Sequence, residues 1–239
     1  MRNVLLMGLS ALLLSACGGG GSSSGGTPVA PPVTAAYTIS VTNLTNAQPL
    51  SPPLAVLHQG GFRIFTLGEP AGDGLEELAE GGDNALLRNE AGAADGVVAV
   101  SAFPEAIPPG GAAEVELSVL DEERAGLTLG LATMLVNTND AFSGANRLMG
   151  VGDLAPGESR VMQAVAYDAG TEADTEGPGT IPGPADGGEG FNTARDDDAD
   201  RVSMHAGVVT ASDGLPTSVL TEAHRFDNPV LRVRVTRVN

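Results

Sequence analysis

The segment LTLGLATMLV, at residues 127–136, is a nearly continuous apolar run in the middle of the chain. A strand that is covered on both faces has this pattern, because neither of its sides needs polar residues. The segment therefore predicts a central β-strand. The polar turn TNDAF, residues 138–142, follows it directly.

Other segments alternate between apolar and polar residues with a period of two. The clearest are YTISVT at 37–42, EVELSV at 114–119 and LRVRVT at 231–236. Such alternation turns one face of a strand to a core and the other to water, as in an antiparallel sheet. Residues 160–167 and 202–210 are further strand candidates, the second with a less regular pattern.

Turn-forming pairs separate these candidates, for example PPGG at 108–111, APGE at 155–158 and Asp213-Gly214. Several short strands between such turns are typical of a β-sandwich, so we predict an all-β sandwich. DGLEELAEGGDN, residues 73–84, carries Leu75 and Leu78 three positions apart and predicts one short helix.

A long acidic segment interrupts the strand pattern between Gly170 and Asp200. It contains Gly, Pro and carboxylates with almost no apolar periodicity, and we predict a long loop. The run DDDAD at 196–200 is the densest charge in the chain. It is either a second cation site or, as adjacent carboxylates more often are, a solvated surface.

The N-terminus has the pattern of a bacterial lipoprotein signal. MRNVLLMGLSALLLSAC, residues 1–17, combines one basic residue, a short apolar run and small residues before Cys17. We predict a lipid on Cys17, a Gly/Ser/Pro tether over 18–34, and an exported domain over 35–239. The alternative is an ordinary secretory signal. Gly18 favours the outer membrane as the destination.

Composition excludes several classes of function. The net charge is −18 and the pI is about 4.3, which argues against a nucleic-acid partner, since phosphates demand a basic surface. Cys17 is the single cysteine, so the exported domain forms no internal disulfide. No G-x-S-x-G motif is present, and His58, His205 and His224 lack metal-ligand spacing.

Two acidic clusters follow predicted strands. The first is Thr138–Phe142, and the second is YDAGTE at 167–172. If these strands are neighbours, Asp140, Asp168 and Glu172 converge at one edge, where like charges repel unless a cation joins them. Calcium, which takes six to eight oxygen ligands, suits such a site. Solvated loop carboxylates are the alternative.

The sequence resembles the spondin N-terminal domain family. The resemblance is carried by YDAGT at 167–171, TNDAF at 138–142, GFRIFTLGEPAGDGLEELAEGGD at 61–83 and PVLRVRVTRV at 229–238. It spans roughly residues 37–239, and it implies a C2-like antiparallel β-sandwich with calcium held by loops at one edge.

The resemblance also implies a set of calcium ligands: Asp140, Asp168 and Glu172. The chain departs from animal members in having Glu rather than Asp at 172, Ala141-Phe142 where those members have Trp-Phe, and no cysteines in the domain. By fold-level analogy, the resemblance implies a non-catalytic module that binds an extracellular protein or glycan. The alternatives are a calcium-dependent hydrolase that uses the long loop and a structural envelope protein without a ligand.

Overall fold

The fold was analysed in a computed structural model of the chain, which describes residues 32–195 and 199–239, with side chains 147–149 left aside. The ten strands are β1 Thr34–Asn43, β2 Leu54–Gln59, β3 Val97–Ala102, β4 Ala112–Leu120, β5 Leu127–Met134, β6 Ala141–Gly150, β7 Ser159–Ala164, β8 Ala166–Asp168, β9 Ser203–Met204 and β10 Leu231–Arg237. The two α-helices are α1 Asp73–Gly81 and α2 Ala85–Ala93.

The strands form two antiparallel sheets. One has four strands in the order β4-β1-β10-β7, and the other has six in the order β3-β2-β5-β6-β8-β9. The predicted all-β sandwich is confirmed. Among the described residues, no helix is both long and apolar enough to cross a membrane.

The main core lies between the sheets and is formed by the apolar residues of the alternating strands. In β10, Leu231, Val233 and Val235 are buried while Arg232 and Arg234 are exposed. The apolar residues of β1 and β4 enter the same core. Burial of such side chains is worth about 25 cal/mol per Å² of apolar surface, which makes this layer the main source of stability.

A second core explains why β5 is apolar on both faces. Every residue of β5 is buried, because α1 packs on the outer face of the six-stranded sheet. Leu75 and Leu78 of α1 enter this layer, with Leu87 and Ala91 of α2. The structure therefore has two helices here, where the sequence predicted one.

Two strand predictions differ from the structure. Residues 160–167 form two strands in different sheets: β7 pairs with β10, and β8 pairs with β6. The chain crosses between the sheets at Val165, a change of partner that alternation cannot reveal. In the segment 202–210, only Ser203–Met204 is a strand. The predicted long loop is irregular where it is described, apart from a single turn of 3₁₀ helix at Thr193–Arg195.

Candidate metal centre

The turn after β5 buries Asp140 at an edge of the sandwich. Thr138 shapes this turn, because its hydroxyl donates to the carbonyl of Leu135 at 2.6 Å and accepts from the amide of Ala141 at 3.1 Å. The chain then enters β6 at once, so Asp140 is fixed between two strands and is 0% exposed.

The pairing of β6 with β8 brings the second predicted cluster to the same place. Ala141 lies opposite Asp168 in this register. Beyond Asp168, Gly170 has a φ of +73°, and its Cα packs so tightly on the backbone of Arg201 that a Cβ would lie 2.4 Å from the carbonyl oxygen. Only glycine fits there without strain.

This turn aims two backbone amides at Asp140. The N–H groups of Thr171 and Glu172 donate to its Oδ2 at 2.9 and 3.2 Å. Its Oδ1 is buried and has no hydrogen-bond partner among the described residues. A buried carboxylate oxygen without a partner is costly, so this atom is a candidate to contact a cation.

Three carboxylates converge around that oxygen. Asp140, Asp168 and Asp174, here called the acidic cluster, each offer one carboxylate oxygen, and these oxygens all lie within 4.8 Å of one another. Asp140 is buried, Asp168 is half-buried and Asp174 is exposed. The cluster thus extends from the interior to the surface, which gives an ion a path from solvent.

Three negative charges at this place are unfavourable, because one carboxylate is buried and all three lie close together. Burial is the main cause that raises the pKa of Asp140 well above its usual range, and the charge of Asp168 raises it further. The amides of Thr171 and Glu172 partly offset this rise in pKa. A divalent cation would offset this repulsion and favour the carboxylate form of Asp140.

The third predicted ligand, Glu172, is placed differently. It is 3% exposed, its Oε1 accepts from the side-chain amide of Asn139 at 2.8 Å, and its Oε2 lies 3.2 Å from Nη2 of Arg195. The structure brings Asp140 and Asp168 together as expected from the sequence, with Asp174 as the third member of the cluster. Asp174 lies six residues after Asp168 in an irregular loop, where spacing offered no reason to choose it.

The long loop packs over this edge of the sandwich. Glu176 anchors it: Oε1 accepts from the amide of Val209 at 2.7 Å, and Oε2 accepts from the hydroxyl of Ser218 at 2.8 Å. We call this arrangement the Glu176 tie. Ile181 of the loop packs with Val208 and Leu220 in a small apolar cluster.

The histidines have separate environments. His58 is buried, and its ring nitrogens lie 3.2 and 2.7 Å from the carbonyls of Gly60 and Asn146, a structural role. Nδ1 of His224 accepts from the amide of Thr221. His205 alone approaches the acidic cluster: its Nε2 lies 3.7 Å from Oδ1 of Asp174. Burial lowers the pKa of His205 to about 4.

Several predictions concern parts of the chain outside the described residues. These are the signal segment with Cys17, the tether as far as residue 31, and Asp196, Asp197 and Asp198 of the acidic run. They stay predictions.

Comparison with protein-family models and with curated protein sequences finds no match for this chain. The likeness to spondin N-terminal domains also stays a prediction. The chemistry of the site is therefore judged from its donor atoms. Carboxylate oxygens beside an irregular backbone form a hard donor set, of the kind that suits calcium.

Proposed function

We propose that the chain is a lipid-anchored, cell-envelope module of spondin type that binds calcium and, through it, stabilises a surface for an extracellular partner. One observation supports the metal: Oδ1 of Asp140 is buried and has no hydrogen-bond partner among the described residues. One carboxylate oxygen each from Asp140, Asp168 and Asp174 lie within 4.8 Å of one another. Calcium supplies that oxygen with a partner and joins loops that otherwise repel one another.

The anchor is the predicted lipid on Cys17, with residues 18–34 as the tether that carries the domain off the membrane. Sorting by Gly18 favours the outer membrane. An acidic domain without lysine has no electrostatic attraction to anionic lipid, so the acyl chains supply the membrane affinity.

A concavity that includes Tyr167 of β8 is the surface we assign to the partner. It has a volume of about 370 Å³ and is lined by Arg63, Phe65, Thr66, Leu67, Asn146 and Tyr167. Leu67 is 55% exposed, and Tyr167 directly precedes Asp168 of the cluster. An extracellular protein or glycan would meet both aromatic and polar groups on this surface, while calcium orders the loops at the acidic cluster.

We propose no catalysis. A hydrolase needs a general base that reaches its substrate. The side chain of His205 is 2% exposed and Asp140 is fully buried, so neither is placed to meet one. The module's chemistry is cation binding.

Calcium titration of the purified lipoprotein in detergent, by calorimetry and thermal melting, tests the proposal. We expect saturable heat and a rise in Tm, since a ligand at 100 times its Kd stabilises by about 2.7 kcal/mol. Asp168→Asn should remove both, because it deletes a ligand charge. Glu176→Gln is the matched control, since it neutralises a buried carboxylate outside the cluster. An unchanged response in Asp168→Asn, or none in the parent protein, contradicts the proposal.

A further inference from the structure

His205 is held rigidly beside the acidic cluster. Its backbone amide donates to the carbonyl of Ala166, at the start of β8, at 3.3 Å. Its ring packs on Phe226, with the ring centroids 5.4 Å apart. Its side chain is 2% exposed, so the ring has little freedom to turn.

The position of the ring proton follows from one hydrogen bond. The amide of Gly207 donates to Nδ1 of His205 at 2.9 Å. A backbone N–H can only donate, so Nδ1 must present a lone pair. The imidazole is therefore neutral and carries its proton on Nε2.

That proton has one evident recipient. Nε2 is buried, has no hydrogen-bond partner within the described ranges, and lies 3.7 Å from Oδ1 of Asp174. A contact of this length is loose, and a small movement of the exposed Asp174 side chain closes it. An N–H donor at this point can hold the Asp174 carboxylate in place beside Asp140 and Asp168.

We propose that His205 is a positioning residue of the metal centre, which donates Nε2–H to Asp174 and is itself no ligand. The inference rests on the proposed function and adds the selectivity of the site. With the only nearby imidazole acting as a donor, the ligands are all oxygen, and the site takes calcium in preference to zinc. For His205 to bind zinc through Nε2, its proton would have to move to Nδ1, against the N–H of Gly207.

Nitrogen-15 NMR of the histidine-labelled, metal-free full chain in detergent tests the tautomer directly. We expect a protonated Nε2 and an unprotonated Nδ1, and we expect this pattern to persist when calcium is added. An unprotonated Nε2, or an Nε2 signal that shifts to the metal-bound position with zinc or calcium, overturns the inference whether or not the metal site exists.

Calcium and zinc titrations of two variants test the positioning role. His205→Leu removes the donor, and we expect calcium affinity to fall about 10- to 100-fold, the usual effect of losing a group that orients a ligand. His205→Gln restores an N–H donor and should recover most of that loss, which a purely structural role would not predict. Equal calcium affinity in the parent and the leucine variant, with both folded by circular dichroism, overturns the role. Absence of calcium binding in the parent protein overturns the proposed function itself.

Discussion

Two carboxylates of the molecule are buried but differ in their hydrogen bonds: Asp140 of the acidic cluster and Glu176, which anchors the long loop. Both oxygens of Glu176 accept hydrogen bonds, from Val209 and Ser218. Asp140 has one oxygen bonded to backbone amides and one without a partner among the described residues. Burial raises the pKa of both. Burial alone therefore does not distinguish a candidate cation site, whereas an unpartnered oxygen beside other carboxylates does.

The substitution Arg195→Ala should have the largest effect. It takes the counter-ion away from Glu172, a carboxylate that is buried like Asp140. Glu172 is buried and its counter-ion Arg195 is 17% exposed, so Arg195→Ala removes the guanidinium that faces its Oε2. We expect a loss of about 3 kcal/mol in the free energy of unfolding without calcium. Calcium should recover part of it, since a nearby divalent cation offsets the buried negative charge of Glu172.

Urea unfolding with and without calcium measures both quantities. Arg234→Ala is the control, because Arg234 is exposed on β10 and its loss should change stability by no more than about 0.5 kcal/mol. If Arg195→Ala is as stable as the parent protein, Glu172 does not depend on its pair with Arg195.

Two substitutions at Glu176 come next in size. Glu176→Ala leaves the amide of Val209 and the hydroxyl of Ser218 without their hydrogen-bond acceptor. We expect the free energy of unfolding to fall by about 2 kcal/mol. Glu176→Gln keeps an acceptor for Val209 and removes a buried charge, so its stability should be close to that of the parent.

Thermal melting in excess calcium checks this pair, and neither variant should lose the calcium response. A glutamine variant that melts as low as the alanine variant would mean that the charge of Glu176, and not its hydrogen bonds, secures the loop. In that case the contrast with Asp140 fails.

The smallest expected effect is a dependence on pH. Because the pKa of Asp140 is raised in the folded state, its protonated form stabilises the metal-free protein. This contribution is present at low pH and is lost as the pH rises through the raised value. Calcium stabilises the carboxylate instead, so the calcium-induced rise in Tm should grow with pH.

Melting curves across pH, with and without calcium, test this direction. Asp140→Asn cannot titrate, and the difference between it and the parent isolates this group from other carboxylates. A calcium effect that shrinks as pH rises would contradict the placement of Asp140 in the site.

The sequence predicted the parts of the fold in which apolar and polar residues follow a regular pattern. Alternation in β1, β4 and β10 fixes which side chains enter the core, and the apolar β5 lies under α1 as its pattern requires. Helix α2 was missed because ALLRNEAGA buries only Leu87 and Ala91, too few positions to show a helical period. The crossing at Val165 was missed because the apolar residues of RVMQAVAY, at 160–167, give no sign of a change of partner strand.

The site was predictable as far as it depends on strand ends. Asp140 ends the turn between β5 and β6, and β6 pairs with β8, whose last residue is Asp168, so the two carboxylates meet at one sheet edge. The place of Asp174 in the cluster depends on the path of an irregular loop. The pairing of Glu172 with Arg195 depends on the same loop. No periodicity constrains the path of such a loop, so its carboxylates could not be ranked before the structure was known.

The position of strand β1 bears on the proposed anchoring of the domain. The chain enters at Thr34, while at the far end Asn43 bonds to Gln48, which in turn bonds to Asn137 beside Asp140. Ten residues of strand separate these points by about 30 Å. Under the proposed function, a pull on the anchor would enter the domain along β1, which lies between β4 and β10. Both hydrogen-bond ladders are then loaded in shear and must fail together, so the entry strand resists extraction rather than peeling away.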